Sequence, residues 1–140
     1  MAVYNSFKAK IMDGSIDLDT DNINVCLLDS GHTPNIDTHT MYSDITANEI
    51  ASATGYTTKG QSLASKPVAV DTTDDEGVFD AADVTWSTST ITARYAVLFK
   101  NSGTNTTSPL IAYVDFAADK TSDNGDFVIT WSSEGILNLN

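Results

Sequence analysis

The chain of 140 residues has few basic side chains and a large excess of acidic ones. Seven Lys and Arg stand against nineteen Asp and Glu, which gives a formal net charge of −12, and no stretch gathers the basic residues into a patch. Nucleic-acid binding needs such a patch to neutralise phosphates, and an anionic membrane surface repels an acidic chain for the same reason. We therefore expect neither nucleic acid nor a membrane among its partners.

Cysteine and long apolar runs are also scarce. The one cysteine, Cys26, cannot form an intramolecular disulfide, and its place in "INVCLLD" predicts a buried structural thiol. The opening "MAVYNSFKAKIMDG" holds no apolar run of signal-peptide length, and no later run is long enough to cross a bilayer. We expect a protein that stays in the cytoplasm in which it is made.

The patterns that are present predict a single domain over residues 1–140. Apolar residues from Val3 to Met12 recur at helical spacing and Gly14 can end the run, which predicts a short helix over residues 1–13. Residues 23–140 form a β-rich body with short turns of Asp, Asn, Gly, Ser and Thr. This pattern is typical of an antiparallel β-sandwich or barrel.

Within this body, "ITARYAVLFK" (91–100) alternates with one wholly apolar face and is the predicted central strand, separated by "STS" from the strand before it. The segment 63–70 is a predicted edge strand or bulge, because Pro67 inside it cannot donate to a ladder. "ADKTSDNG" (118–125) is a predicted turn, and "DFVITW" and "GILNLN" are two predicted strands joined across "SSEG". Thr46 and Glu49 have capping-box spacing, which predicts a helical turn near 43–50.

Three aspartates, Asp17, Asp19 and Asp21, have the spacing that opens a calcium-binding EF-hand loop. The twelfth position of such a loop is Leu28, which cannot ligate, and a strand follows where an exiting helix should be. We therefore predict no metal site here. The preferred interpretation has Ile16 and the neighbouring Leu18 facing inward and the aspartates facing water.

The only two histidines, His32 and His39, lie in one loop, and nucleophilic hydrolysis would need one of them as a base. His32, Asp37 and His39 offer metal-ligand types, but no second ligand pair of fixed spacing accompanies them, so we interpret them as solvated loop residues. No GxSxG elbow or phosphate-binding glycine loop is present. We predict no catalytic residue, no metal and no cofactor; a small hydrolase would need a histidine to meet a serine or carboxylate in a cleft.

Five stretches carry a likeness to a known family: "YNSFKAKIMDGSIDLDTDNINVCLL", "TPNIDTH", "VTWSTSTITARYAVLFK", "SPLIAYVDF" and "GDFVITWSSEGILNL". Together they resemble small acidic virion proteins encoded in the structural gene blocks of tailed bacteriophages. The resemblance implies a head-associated structural protein, most simply a decoration protein on the capsid surface, with the major capsid protein as its partner. It brings no catalytic residues with it.

Such a protein assembles at a symmetry axis of the shell, so we expect a homotrimer or another cyclic homo-oligomer. The expected partner contacts are the N-terminal apolar segment, with Val3, Tyr4, Phe7 and Ile11, and the edge at Pro67. The alternative is a tail- or fibre-associated module that binds a host glycan or another virion protein. Exposed aromatic side chains clustered with Asp and Asn would favour that alternative.

Overall fold

Eight β-strands and one α-helix make up the computed structural model, which describes residues 1–140. Three single 3-10 turns, at Tyr42–Asp44, Thr46–Asn48 and Asn105–Thr107, lie in the loops. The regular elements in chain order are β1 (Ala2–Val3), α1 (Asn5–Met12), β2 (Ile23–Leu28), β3 (Gln61–Ser62), β4 (Val68–Asp71), β5 (Glu76–Phe79), β6 (Val84–Lys100), β7 (Leu110–Ile129) and β8 (Leu137–Leu139).

The strands form two antiparallel sheets. The large sheet has the order β1-β7-β6-β2-β3, and the small sheet has the order β4-β5-β8. The predicted fold, mainly β and sandwich-like with antiparallel strands and a short N-terminal helix, is confirmed. No helix of the structure is both long and apolar enough to span a lipid bilayer.

Strand β6 lies at the centre of the large sheet, as the sequence predicts. Its residues Ile91, Ala93, Tyr95, Val97 and Phe99 are all buried, and Ala96 and Leu98 on the opposite face are buried as well. Both faces of this half of β6 are therefore covered. Strand β2 pairs with it from Ile23 to Leu28, and all six of its residues are buried.

Two predicted breaks in the chain are wrong, because "STS" and "ADKTSDNG" lie inside β6 and β7. These segments pair with one another through bulges, where the register shifts on either side of Ser89. The buried Ser89 hydroxyl lies 2.7 Å from the Ser122 hydroxyl and donates to the Gly125 carbonyl at 3.0 Å. Polar residues typical of turns are used here to bend a continuous ribbon.

The prediction for residues 63–70 is also wrong in its bounds, since β4 begins directly after Pro67. Pro67 still accepts a hydrogen bond from Asp80 through its carbonyl (3.1 Å), and β4 is an edge strand, as expected. The two C-terminal strands exist but belong to different sheets. The first is the end of β7, which pairs with β6, whereas β8 pairs with β5.

Apolar side chains form two clusters on opposite faces of the large sheet. The first lies between the two sheets and includes Trp86, Ile111 and Phe127. The second includes Cys26 and Tyr42, lies on the other face and is covered by the loop segment 29–48. Burial raises the pKa of the Cys26 thiol, which is a buried structural group as the sequence predicts.

A half-buried carboxylate, Glu49, fastens the segment after this loop to the sheet. It accepts hydrogen bonds from the hydroxyls of Tyr42 and Tyr56, the latter at 2.8 Å, and from the backbone N–H of Lys59 at 2.6 Å. The Tyr56 hydroxyl in turn accepts a hydrogen bond from the N–H of Leu27 in β2 (3.0 Å). Glu49 therefore links three segments, whereas the sequence had suggested only a helix cap.

Candidate interaction surface

An apolar groove of about 470 Å³ lies between helix α1 and the small sheet. Both elements carry apolar side chains that the core leaves exposed, such as Met12 in α1 and Val68 in β4. Lys8 is the one charged residue that lines it. The helix side is lined by Val3, Phe7, Ile11, Met12 and Leu18, and the sheet side by Val68, Phe79, Leu137 and Leu139.

Three apolar side chains that line this groove are strongly exposed, and so is Val70 beside it. The exposed fraction is 87% for Met12, 57% for Val68, 79% for Val70 and 76% for Leu139. The register of the small sheet places Val70 opposite Gly77, and Gly77 opposite Leu139, so the two side chains lie on one face of the sheet across a glycine. These four residues are called the apolar strip below. A contiguous exposed apolar surface of this kind is typical of a protein contact site.

The expected partner contacts at Tyr4 and Phe7 are wrong. Both side chains are buried. Phe7 packs from α1 into the cluster between the two sheets, whereas Tyr4, directly before α1, packs into the cluster on the other face of the large sheet. The Tyr4 ring lies 5.8 Å from the Tyr113 ring, and burial raises the pKa of its hydroxyl. The N-terminal segment therefore uses its largest side chains for the protein's own core.

The remaining predicted contacts, Val3, Ile11 and Pro67, converge on the groove. Val3 and Ile11 are half-buried in its helix wall, and exposed Pro67 directly precedes Val68 in its sheet wall. In the sequence they belong to two separate segments. Val70 and Leu139 were not predicted as contacts, although the alternating valines that follow Pro67 indicate an exposed edge strand.

Acidic groups border one end of the apolar strip. Asp71, Asp75 and Glu76 surround Val70 and Leu139 at the turn between β4 and β5. Backbone N–H groups of Thr73 and Asp74 donate to Asp71, and these hydrogen bonds lower the pKa of its carboxyl. This end of the apolar strip therefore carries negative charge at neutral pH.

The aspartate-rich stretch closes a turn. Asp17 accepts hydrogen bonds from the N–H groups of Asp19 (3.1 Å) and Thr20 (3.2 Å), and bonds from Thr20 lower the pKa of Asp17. Asp21 accepts the N–H of Asp17 (2.8 Å) and forms an ion pair with Lys100 at 2.8 Å. The neighbouring Ile16 and Leu18 are buried, as the preferred interpretation expected.

The two histidines lie together, and the expectation that both are solvated is wrong for His32, which is only 4% exposed. Its ring lies 5.4 Å from that of His39 and 5.6 Å from that of Tyr95. Burial, followed by the neighbouring His39, lowers the pKa of His32. Asp37 binds Asn5 instead of joining them (2.5 Å), and no group of three or more His, Cys, Asp or Glu is arranged to hold a metal.

Neither of these rings engages a serine or carboxylate through its buried free nitrogen. His32 Nε2 and His39 Nδ1 are both buried and make no hydrogen bond. The loop that carries them therefore packs the two imidazoles as part of its own small core, beside the second apolar cluster.

A second cleft, of about 540 Å³, lies beside the end of β7. Half-buried Phe116 and Trp131 line it together with Lys120 and Asp126. The Trp131 indole N–H donates to the carbonyl of Ala82 (3.1 Å), which fixes the ring in place. The cleft thus combines two aromatic rings with a basic and an acidic side chain.

Comparison of the chain with protein-family models, with curated proteins and with solved structures gave no match.

Proposed function

We propose that this chain is a non-enzymatic bacteriophage virion protein that binds the assembled capsid as a decoration protein. The observation that carries the proposal is the apolar strip: Met12, Val68 and Leu139 line the groove, and Val70 lies beside it on the same sheet face as Leu139. The resemblance of the sequence to small acidic virion proteins supplies the partner, the major capsid protein. The protein acts from the capsid surface, as a homotrimer or another cyclic oligomer.

The strip offers enough free energy for such attachment. Its four side chains together expose the equivalent of roughly three whole apolar side chains, whose burial is worth about 4–9 kcal/mol before the costs of association. One copy alone would bind weakly. Identical contacts made by several linked copies on a repeating shell add up to firm attachment.

The net charge of −12 supports the same role. Free copies repel one another at the high concentrations needed for assembly, and the anionic exterior avoids the packaged DNA. The acidic groups thus disfavour contact with other free copies and with DNA, the two contacts that would compete with attachment to the capsid.

The test is to mix the purified protein with undecorated capsids and to look by electron microscopy for regular density at symmetry positions. We expect Leu139→Asp to abolish this density, because it places a charge in the strip. Val128→Asp is the matched control, since Val128 is also exposed but lies on β7 at the second cleft, away from the strip. Density on tails, or equal loss with both variants, would contradict the proposal.

The second candidate function is a tail- or fibre-associated module that binds a host glycan. The cleft with Phe116, Trp131 and Asp126 favours it, because sugars stack on aromatic faces and bond to carboxylates. A glycan array probed with the wild type and with Trp131→Ala tests it. Binding that the variant loses would support this candidate over decoration.

A further inference from the structure

The small sheet has a free edge along β4. Strand β5 is flanked by β4 and β8, and no strand lies on the other side of β4. Val68, Ala69 and Val70 are all exposed. Natural proteins usually protect such an edge with an inward charge, a bulge or a covering element. Here Pro67 and Lys66 only precede the strand, and Lys66 is held by the carbonyl of Asp19 (3.0 Å).

The pairing pattern shows which backbone groups of β4 are free. Asp80 donates to the Pro67 carbonyl, so Pro67 and Asp80 occupy a hydrogen-bonded position of the antiparallel pair. Because these positions alternate, Ala69 and Asp71 also face β5, whereas the N–H and C=O groups of Val68 and Val70 face outward. The edge therefore presents two donors and two acceptors over a strand about 13 Å long.

The free edge adjoins the apolar groove. Val68 and Val70 share a face with Phe79 and Leu139, as the register of the small sheet requires. A strand added along β4 would place every second side chain on this same face, toward helix α1 and exposed Met12. The backbone edge and the apolar strip thus form one site for an extended segment.

The charge around the site selects the occupant. Asp71, Asp75 and Glu76 border Val70, and Glu134 lies beside it on the other face of the sheet. A second copy of this chain would bring the same acids and a net charge of −12 to the contact, which like-charge repulsion disfavours. A segment with Lys or Arg next to the turn between β4 and β5 would gain from the same field.

We propose that β4 and the adjoining groove bind an extended segment of the capsid protein, with alternating apolar residues and a basic residue at the end nearest Asp75. This inference rests on the proposed function and names the contact that would carry it. The segment adds a fourth strand to the small sheet and covers the apolar strip.

The experiment uses undecorated capsids as the probe and combines two measurements. The first is the occupancy of wild type, Val70→Pro and Val70→Ala on the capsids. Proline removes the outward N–H without breaking a bond to β5, so we expect it to lower the affinity about tenfold beyond alanine. The second is hydrogen exchange of peptides covering residues 66–72, which should slow in attached wild-type protein.

The outcomes separate the inference about β4 from the proposed decoration role. Slowed exchange at 66–72 and weaker attachment of Val70→Pro support the inference. Attachment of the wild type with unchanged exchange there overturns the inference and leaves the decoration role standing. Failure of the wild type to attach overturns both. Should Val70→Pro not fold, as judged by its thermal melt, the exchange measurement on the wild type decides alone.

Discussion

Replacing Glu49 by alanine should destabilise the fold strongly, and the size of the effect follows from its three hydrogen bonds. The variant leaves the hydroxyls of Tyr42 and Tyr56 and the N–H of Lys59 without their acceptor. Both tyrosines are buried, so their hydroxyls depend on this carboxylate as their acceptor. A buried unpaired donor costs about 1–3 kcal/mol, which gives about 4 kcal/mol for the two hydroxyls together.

Glutamine at the same position separates this explanation from simple loss of packing. Glu49→Gln keeps one oxygen for Tyr56 and Lys59 and places an amide nitrogen against the Tyr42 hydroxyl, which can turn to accept from it. It loses the charge of the carboxylate and the acceptor for the Tyr42 hydroxyl hydrogen, but every polar heavy atom keeps a partner. We therefore expect Glu49→Gln to cost about 1–2 kcal/mol, well below the alanine variant.

A double-mutant cycle with Tyr42→Phe gives the sharpest test. In the wild type this substitution removes a hydrogen bond and should cost about 1 kcal/mol. In the Glu49→Ala background it removes an unpaired buried hydroxyl, so it should stabilise the protein. Urea unfolding measures all four proteins, with the exposed Glu134→Ala as a control expected to change stability by less than about 0.5 kcal/mol. Equal destabilisation by Tyr42→Phe in both backgrounds would refute the reasoning.

Three further substitutions test other parts of the fold. The pKa of His32 is lowered by folding, so the unfolded state binds more protons as the pH falls below about 6.5. The free energy of unfolding should decrease over that range, and less steeply in His32→Gln; parallel pH profiles would contradict this. Gly60→Ala should destabilise far more than Gly14→Ala in thermal melts. Both glycines have positive φ, but a Cβ at Gly60 would lie 1.8 Å from the Val25 carbonyl oxygen whereas Gly14 has open space; equal melting temperatures would count against the close approach. Ser89→Ala should cost about 1–2 kcal/mol in urea unfolding, because its buried hydroxyl makes both hydrogen bonds at the bulge; an unchanged midpoint would contradict that role.

The sequence predicted those parts of the fold that depend on local pattern. Alternation from Ile91 to Lys100 predicted the central strand, and a strand was predicted directly after the aspartates, where β2 lies. The helical spacing near the N-terminus gave α1. In β6 and α1 the side chains that face the core recur with the period of the element, and in β2 they form a continuous apolar run, so a local window is enough to predict all three.

The errors arose where distant segments decide the conformation. Ser89 and Gly125 are typical turn residues, but they pair across the ribbon in a bulge that no local window can show. His32 looks like a polar loop residue, yet the loop folds it beneath its own chain against Tyr95. Residue type alone could not separate a bend from a turn, or a packed imidazole from a solvated one.

The candidate site was predicted only in part for the same reason. Helix α1 and the edge at Pro67 were each identified as contact segments, but their union in one groove depends on how the small sheet stacks on the large one. Leu139 enters the site through pairing of β8 with β5, about sixty positions earlier in the chain. Periodicity also could not show that Tyr4 and Phe7 point inward.

The ribbon of β6 and β7 has a consequence for the order of folding. Its two strands are neighbours in sequence and are joined by one loop, whereas the contact between Cys26 and Val97 joins residues 71 positions apart. Loop-closure entropy delays such distant contacts, so pulsed hydrogen exchange should protect the ribbon before β2 and β8. The small sheet, which carries Leu139 on β8, is then completed last, after the ribbon of β6 and β7 has formed.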